Sequence, residues 1–211
     1  MYKQIALLVA LAHVLLATAY ASSETMLRQC DGATCVKRDR EAEVMPKTST
    51  WTLLPVPRTI KFHKGTYATT GRRSLSFNNV RHDAVDQLKA HAYEALGSAE
   101  GRFGIDPEKV PNPQGYVLDI TRGGIKVVAH DEPGLFYALM TLRQLARHPS
   151  TPRLLPRVHI EDWPDFHHRG VLLDISRDKV PEMDTLYGLV DKLAGWKFNQ
   201  LQLYSALCIA G

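Results

Sequence analysis

Residues 156–204 read PRVHIEDWPDFHHRGVLLDISRDKVPEMDTLYGLVDKLAGWKFNQLQLY, and the order of patterns in them decides the fold. Val158 to Ile160 reads as a short strand, and Trp163-Pro164 marks an extended linker, because proline holds itself and its predecessor out of the helical region. Arg169 to Ile175, with the apolar run Val171-Leu172-Leu173, has the pattern of a parallel strand buried on both faces. Ser176-Arg177-Asp178-Lys179 is a polar loop. Pro181 to Asp184 then opens a helix whose Leu186, Leu189, Val190, Leu193 and Trp196 recur at core spacing. After a turn at Phe198-Asn199, Leu201 to Tyr204 is a second strand of the buried type. Together these predict one right-handed parallel β-α-β unit. In a (β/α) barrel the chemistry sits at the C-terminal ends of the strands. That rule puts Arg177 and Asp178 at the mouth, and His168 and Arg169 at the opposite, structural end. Arg177 offers five donors in a planar fork, suited to paired hydroxyls or a carboxylate. An ion pair with Asp174 or Asp178 that merely stabilises the loop is the alternative.

Upstream, Leu54-Pro55-Val56-Pro57 opens an ordered region. Thr59 to Phe62, Tyr67 to Thr69 and Leu75 to Phe77 predict short strands. From Asp83 to Leu96 the apolar period turns helical through Val85, Leu88, Ala92 and Leu96, and Gly97 ends it. Tyr116 to Ile120 and Ile125 to Ala129 flank Arg122-Gly123-Gly124, a β-hairpin whose glycines supply the positive φ of the turn. No GxxxxGK[ST] or GxGxxG accompanies that glycine pair, so it is not a phosphate loop. A helix with Pro133 near its first turn runs to about Arg147, with Leu135, Phe136, Leu139, Leu142 and Leu145 on its apolar face. This order predicts a sheet with helices on one side.

The chain begins as an address label. Lys3 precedes an apolar run from Ile5 to Ala19, and Ala19-Tyr20-Ala21 is a small-x-small site, so residues 1–21 are expected to be a secretory signal peptide cut after Ala21. A membrane anchor is the alternative, but the run is interrupted by His13 and short for a bilayer of ~30 Å. Residues 22–50 are polar and aperiodic and are expected to be a disordered leader. Within it Cys30 and Cys35 either close a small disulfide loop or remain free thiols, and Cys208 has no evident partner. Hydrophobic residues make up 45% of the 211, enough to bury a core. The net charge of +4 comes without any long basic block, which argues against nucleic acid as a partner.

HRGVLLDISRDKVP, preceded by IEDWPDF, resembles the start of the catalytic barrel of family 20 glycoside hydrolases, the β-N-acetylhexosaminidases. PGLFYALMTLRQL resembles the last helix of the α/β domain that commonly precedes that barrel. The resemblance spans roughly residues 52–204. It implies an α/β chain: an α+β N-terminal domain over 51–160 with helices on one face of its sheet, then the first β-α-β of a truncated (β/α)8 TIM-type barrel over 161–211. It also implies a retaining, substrate-assisted hydrolysis of terminal N-acetylhexosamines (GlcNAc or GalNAc), in which the substrate's own 2-acetamido oxygen is the nucleophile. A Glu serves as acid/base and an Asp orients the acetamido group. Arg177 matches the arginine that holds the terminal sugar, with Asp178 beside it. Arg169 and Asp174 match family positions and are read as barrel supports. Asp178-Lys179 stands where many members carry a His-aromatic pair.

The family's adjacent Asp-Glu pair does not occur within 156–211. Asp131-Glu132 is such a pair, but at a helix start, where two acids complement the dipole. SALCIAG, the last seven residues, is expected to be a premature end. Two readings follow. In one, the chain is the N-terminal piece of a secreted or lysosomal hexosaminidase with a glycan substrate, inactive alone, needing neither cofactor nor metal. In the other it is a secreted, non-catalytic carbohydrate-binding or interaction module, whose open apolar strands would demand a dimer or a partner. A metal is disfavoured: His167 and His168 are adjacent and would point to opposite faces of a strand, and His148 and His159 stand alone.

Overall fold

The structure, a computed structural model, describes residues 52–69, 74–97, 100–147, 154–176 and 180–205. The signal peptide and leader, all three cysteines, His148, Arg177, Asp178 and Lys179 lie outside the described residues, as do residues 206–211 of the terminal stretch.

Six strands form one mixed sheet: β1 (Thr59–Ala68), β2 (Ser74–Asn78), β3 (Glu100–Ile105), β4 (Tyr116–Thr121), β5 (Gly124–Ala129) and β6 (Leu154–Asp162), in the order β1-β6-β4-β5-β3-β2. Two helices accompany it, α1 (His82–Leu96) and α2 (Glu132–Ala146). The pairs β2·β3 and β3·β5 are parallel, whereas β4 is antiparallel to both β5 and β6, and β1 is antiparallel to β6.

Alternation along the strands, broken on β6 between Leu155 and Val158, explains the core. Leu118 and Ile120 on β4, Ile125 and Val127 on β5, and Leu155, Val158 and Ile160 on β6 are fully buried, as are Leu135, Leu139, Leu142 and Leu145 of α2. Asp119, Lys126 and His159 alternate with them and look the other way. Phe77 and Phe103, register partners across β2 and β3, stack with centroids 4.9 Å apart.

Four sequence expectations change here. Thr59–Phe62 and Tyr67–Thr69 are not two strands: both halves pair with β6, and an irregularity between Phe62 and Thr66 joins them into one. The brief strand at Val158–Ile160 is a nine-residue strand between β1 and β4. β3 was not expected at all. In the hairpin turn only Gly124 has positive φ, 119°, with the Glu100 carbonyl 3.0 Å from where its β-carbon would stand.

Asp131 caps α2, its Oδ1 accepting from the Gly134 N–H at 2.8 Å. Gly134 lies against the preceding loop so closely that a β-carbon would meet the Gly115 carbonyl oxygen at 2.3 Å. Backbone cannot swing aside as a side chain can, so Gly134→Ala is expected to destabilise by about 1–3 kcal/mol. Thermal melting checks this, with a fall of several degrees expected.

Past the linker, β7 (Gly170–Asp174), α3 (Met183–Gly195) and β8 (Gln200–Tyr204) form the expected unit, with β7 and β8 parallel from Gly170↔Gln200 to Asp174↔Tyr204. The strands are not buried on both faces: Leu172 is 61% exposed and Leu203 47%. Of the core-spaced residues of the helix only Leu193 is buried, and Trp196 is exposed. One helix over two strands has too little surface to cover both faces of a sheet.

Candidate functional site

The C-terminal ends of β7 and β8 lie side by side, Asp174 opposite Tyr204, and the Ile175 N–H donates to the Tyr204 carbonyl at 2.9 Å. Asp174 Oδ1 accepts from the Ser176 hydroxyl at 2.5 Å and from its N–H at 2.8 Å. These two bonds hold the Asp174 carboxyl below the usual carboxylate value. They make a compact aspartate turn at the end of β7.

The opposite end is a buried polar clamp onto the α/β domain. Lys197, just past α3 and 5% exposed, donates to Asp162 Oδ2 at 2.8 Å and to the Tyr116 hydroxyl at 2.9 Å. Tyr116 also meets Thr141 Oγ1 of α2 at 2.7 Å. Burial drives the Lys197 ammonium below its ordinary value while the Asp162 carboxylate pulls it back. Burial likewise keeps the Tyr116 phenol protonated far above its ordinary range.

Arg169 works beside this pair. Its guanidinium donates to the Lys197 carbonyl, the Phe166 carbonyl and Gln114 Oε1, and it lies over the Tyr137 ring with its carbon 5.0 Å from the centroid. Gln114 in turn donates to the His167 carbonyl at 3.0 Å and takes the Asp131 carboxylate on its own N–H. Gln114 and Lys197 both hold left-handed backbone, with φ of 60° and 63°. Each departure costs about 1–3 kcal/mol, tolerated only where surroundings over-determine the residue. The linker is fixed too: Arg58 covers the Trp163 ring, donates to the Trp163 carbonyl at 2.8 Å and pairs with Asp165.

Arg169 and His168 therefore sit at the end of β7 away from Asp174. Arg177 and Asp178, the expected sugar contacts, follow the Asp174 turn in sequence and lie outside the described residues. Asp131 caps a helix and Glu132 pairs with Arg81 at 2.8 Å, so each has a local structural partner. His167 and His168 lie ahead of β7 rather than in a strand, and their rings meet edge to face at 4.7 Å instead of pointing apart. Among the described residues no group of three His, Cys, Asp or Glu side chains is placed to hold a metal ion, and no helix is long and apolar enough to cross a membrane. The sequence reading missed Lys197, Asp162, Gln114 and Thr141. Only Asp162 carried a signal, its place in IEDWPDF.

A mixed α/β domain clamped to a parallel β-α-β unit is the class these observations define. Residues 50–163 match the family described as glycosyl hydrolase family 20, domain 2. The chain belongs to glycosyl hydrolase family 20. A β-hexosaminidase of Vibrio furnissii is 31% identical over 170 residues, covering 76% of this chain and 27% of that protein. Among solved structures, an exo-β-N-acetylglucosaminidase of Vibrio harveyi in complex with N-acetylglucosamine superposes with a TM-score of 0.63. It is 23% identical, over 79% of this chain and 27% of that one. An N-acetyl-β-hexosaminidase of Streptomyces plicatus in complex with thio-NAglucal gives a TM-score of 0.60 at 26% identity, over 79% and 36%. The chain spans about a quarter or less of the length of the first curated relatives it matches.

Proposed function

We propose that these residues are the N-terminal part of a secreted or lysosomal β-N-acetylhexosaminidase that removes terminal N-acetylhexosamines from glycans. β7, α3 and β8 begin its (β/α)8 barrel. The observation that carries this reading is the parallel pair β7·β8, whose C-terminal ends meet at Asp174 and Tyr204, with Arg177 following Asp174-Ile175-Ser176 in the sequence. Catalytic groups in such barrels stand at that end. The exposed Leu172 and Leu203 support it as well, since further barrel elements would cover them.

Arg177 then grips hydroxyls of the terminal sugar, with Asp178 at the rim. The substrate's 2-acetamido oxygen attacks the anomeric carbon and the configuration is retained. Neither the acid/base Glu nor the orienting Asp is assigned to a residue of this chain. By themselves the 211 residues are expected to show no turnover of a chromogenic β-N-acetylglucosaminide. Turnover by the purified chain would falsify that statement.

The intact mass of the native protein tests the larger reading. Two to three times ~21 kDa, the chain less its signal peptide, together with hydrolysis at retained configuration, is the expected result. A monomer of ~21 kDa with a sharp melting transition and no hydrolysis would sink it in favour of a binding module.

A further inference from the structure

His159 stands in the middle of β6 on the sheet face opposite the helices, between the buried Val158 and Ile160. Its register partners are Lys61 on β1 and Asp119 on β4. Nδ1 lies 2.6 Å from Asp119 Oδ1, and Nε2 lies 3.1 Å from Glu161 Oε1. A neutral imidazole carries a single N–H, so it can donate to one of these carboxylates and must turn a lone pair on the other. The imidazolium donates to both. The two carboxylates sit at opposite ring nitrogens, so no single metal ion could take all three groups.

We propose that Asp119, His159 and Glu161 form a pH-dependent staple that ties β4 to β6 and makes this domain firmest in acidic surroundings. On the strands beside it that face also carries Lys61 on β1, Arg157 on β6 and Lys126 on β5, with Arg102 and Glu100 farther out on β3. Arg157 is engaged with the Lys64 carbonyl at 2.7 Å. Lys61 and Lys126 are exposed, so water and salt screen their repulsion of the imidazolium. The carboxylates in direct contact prevail. Chiefly the bond to Asp119, against partial desolvation and helped by Glu161, lifts His159 above its ordinary value. A histidine raised on folding adds stability that is complete below its unfolded pKa of about 6.5 and is lost as pH climbs through the folded one.

NMR titration of the 15N-histidine-labelled 211-residue chain tests this. The His159 ring is expected to titrate with a midpoint above about 6.5, and Asp119→Asn is expected to lower that midpoint. Melting temperatures should rise from pH 8.5 to pH 5.5, and His159→Gln should remove a few degrees of that rise. A midpoint at or below 6.5, a midpoint that Asp119→Asn leaves unmoved, or a pH dependence intact in His159→Gln overturns the proposal. If His159→Gln fails to fold, the titrations of Asp119→Asn and Glu161→Gln decide alone.

Discussion

Asp162→Ala is expected to destabilise the folded chain by about 3–5 kcal/mol, the usual cost of leaving a buried charge without its partner. Lys197 is 5% exposed, and its ammonium touches the Asp162 carboxylate and the Tyr116 hydroxyl. Remove the carboxylate and the ammonium keeps one neutral acceptor, with the Arg169 guanidinium acting on it as a like charge. Urea unfolding followed by tryptophan fluorescence reads the loss directly. Because a stranded ammonium escapes by shedding its proton, the loss should shrink between pH 7 and pH 9.5. The double variant Asp162→Leu, Lys197→Met should fall much closer to wild type, since it removes the charges together. A single-variant loss below about 1 kcal/mol, the range of an exposed ion pair, would show that the clamp is not dry.

The second large effect concerns Arg177 in the native hexosaminidase proposed above. Two hydrogen bonds from a guanidinium to sugar hydroxyls, at about 1.5–3 kcal/mol each, predict a fall in kcat/KM of roughly a hundredfold or more for Arg177→Ala. Arg177→Lys should recover little, because an ammonium lacks the planar fork. The melting temperature separates this role from an ion pair with Asp174 or Asp178 that only steadies the loop. A sugar contact costs activity and leaves melting unchanged. A loop brace costs stability and leaves kcat/KM within a few fold.

The elements with an uninterrupted apolar period were legible in the sequence. α1, α2, the β4–β5 hairpin and β7-α3-β8 follow from Leu, Val and Ile at periods of 3.6 and 2, bounded by Gly97, Gly124 and Pro181. β3 was not, because in Glu-Gly-Arg-Phe-Gly-Ile the buried position at Gly101 has no side chain to show the period. Its strand state comes from the ladders on both sides, β2 and β5. β1 was split for a related reason: Gly65 and the irregularity after Phe62 break the alternation, while pairing with β6 carries the strand across the break.

The sequence puts the proposed sugar contacts in the Ser-Arg-Asp-Lys run after β7, because a polar run between a strand and a helix has a definite place in a β-α-β unit, and Arg177 to Lys179 lie outside the described residues. It could not locate the clamp at the other end. Lys197 and Asp162 are 35 positions apart and Gln114 and Arg169 are 55, and in a linear reading each is one more polar residue near an element boundary. His159 stood alone for the same reason, its Asp119 partner lying 40 positions away on β4. Side-chain period is a local property, and by itself the sequence determined the helices, most strands and the parallel unit. Which polar groups share a dry space depends on strand order and register, and those are settled only when the chain closes on itself and every buried charge must find its partner.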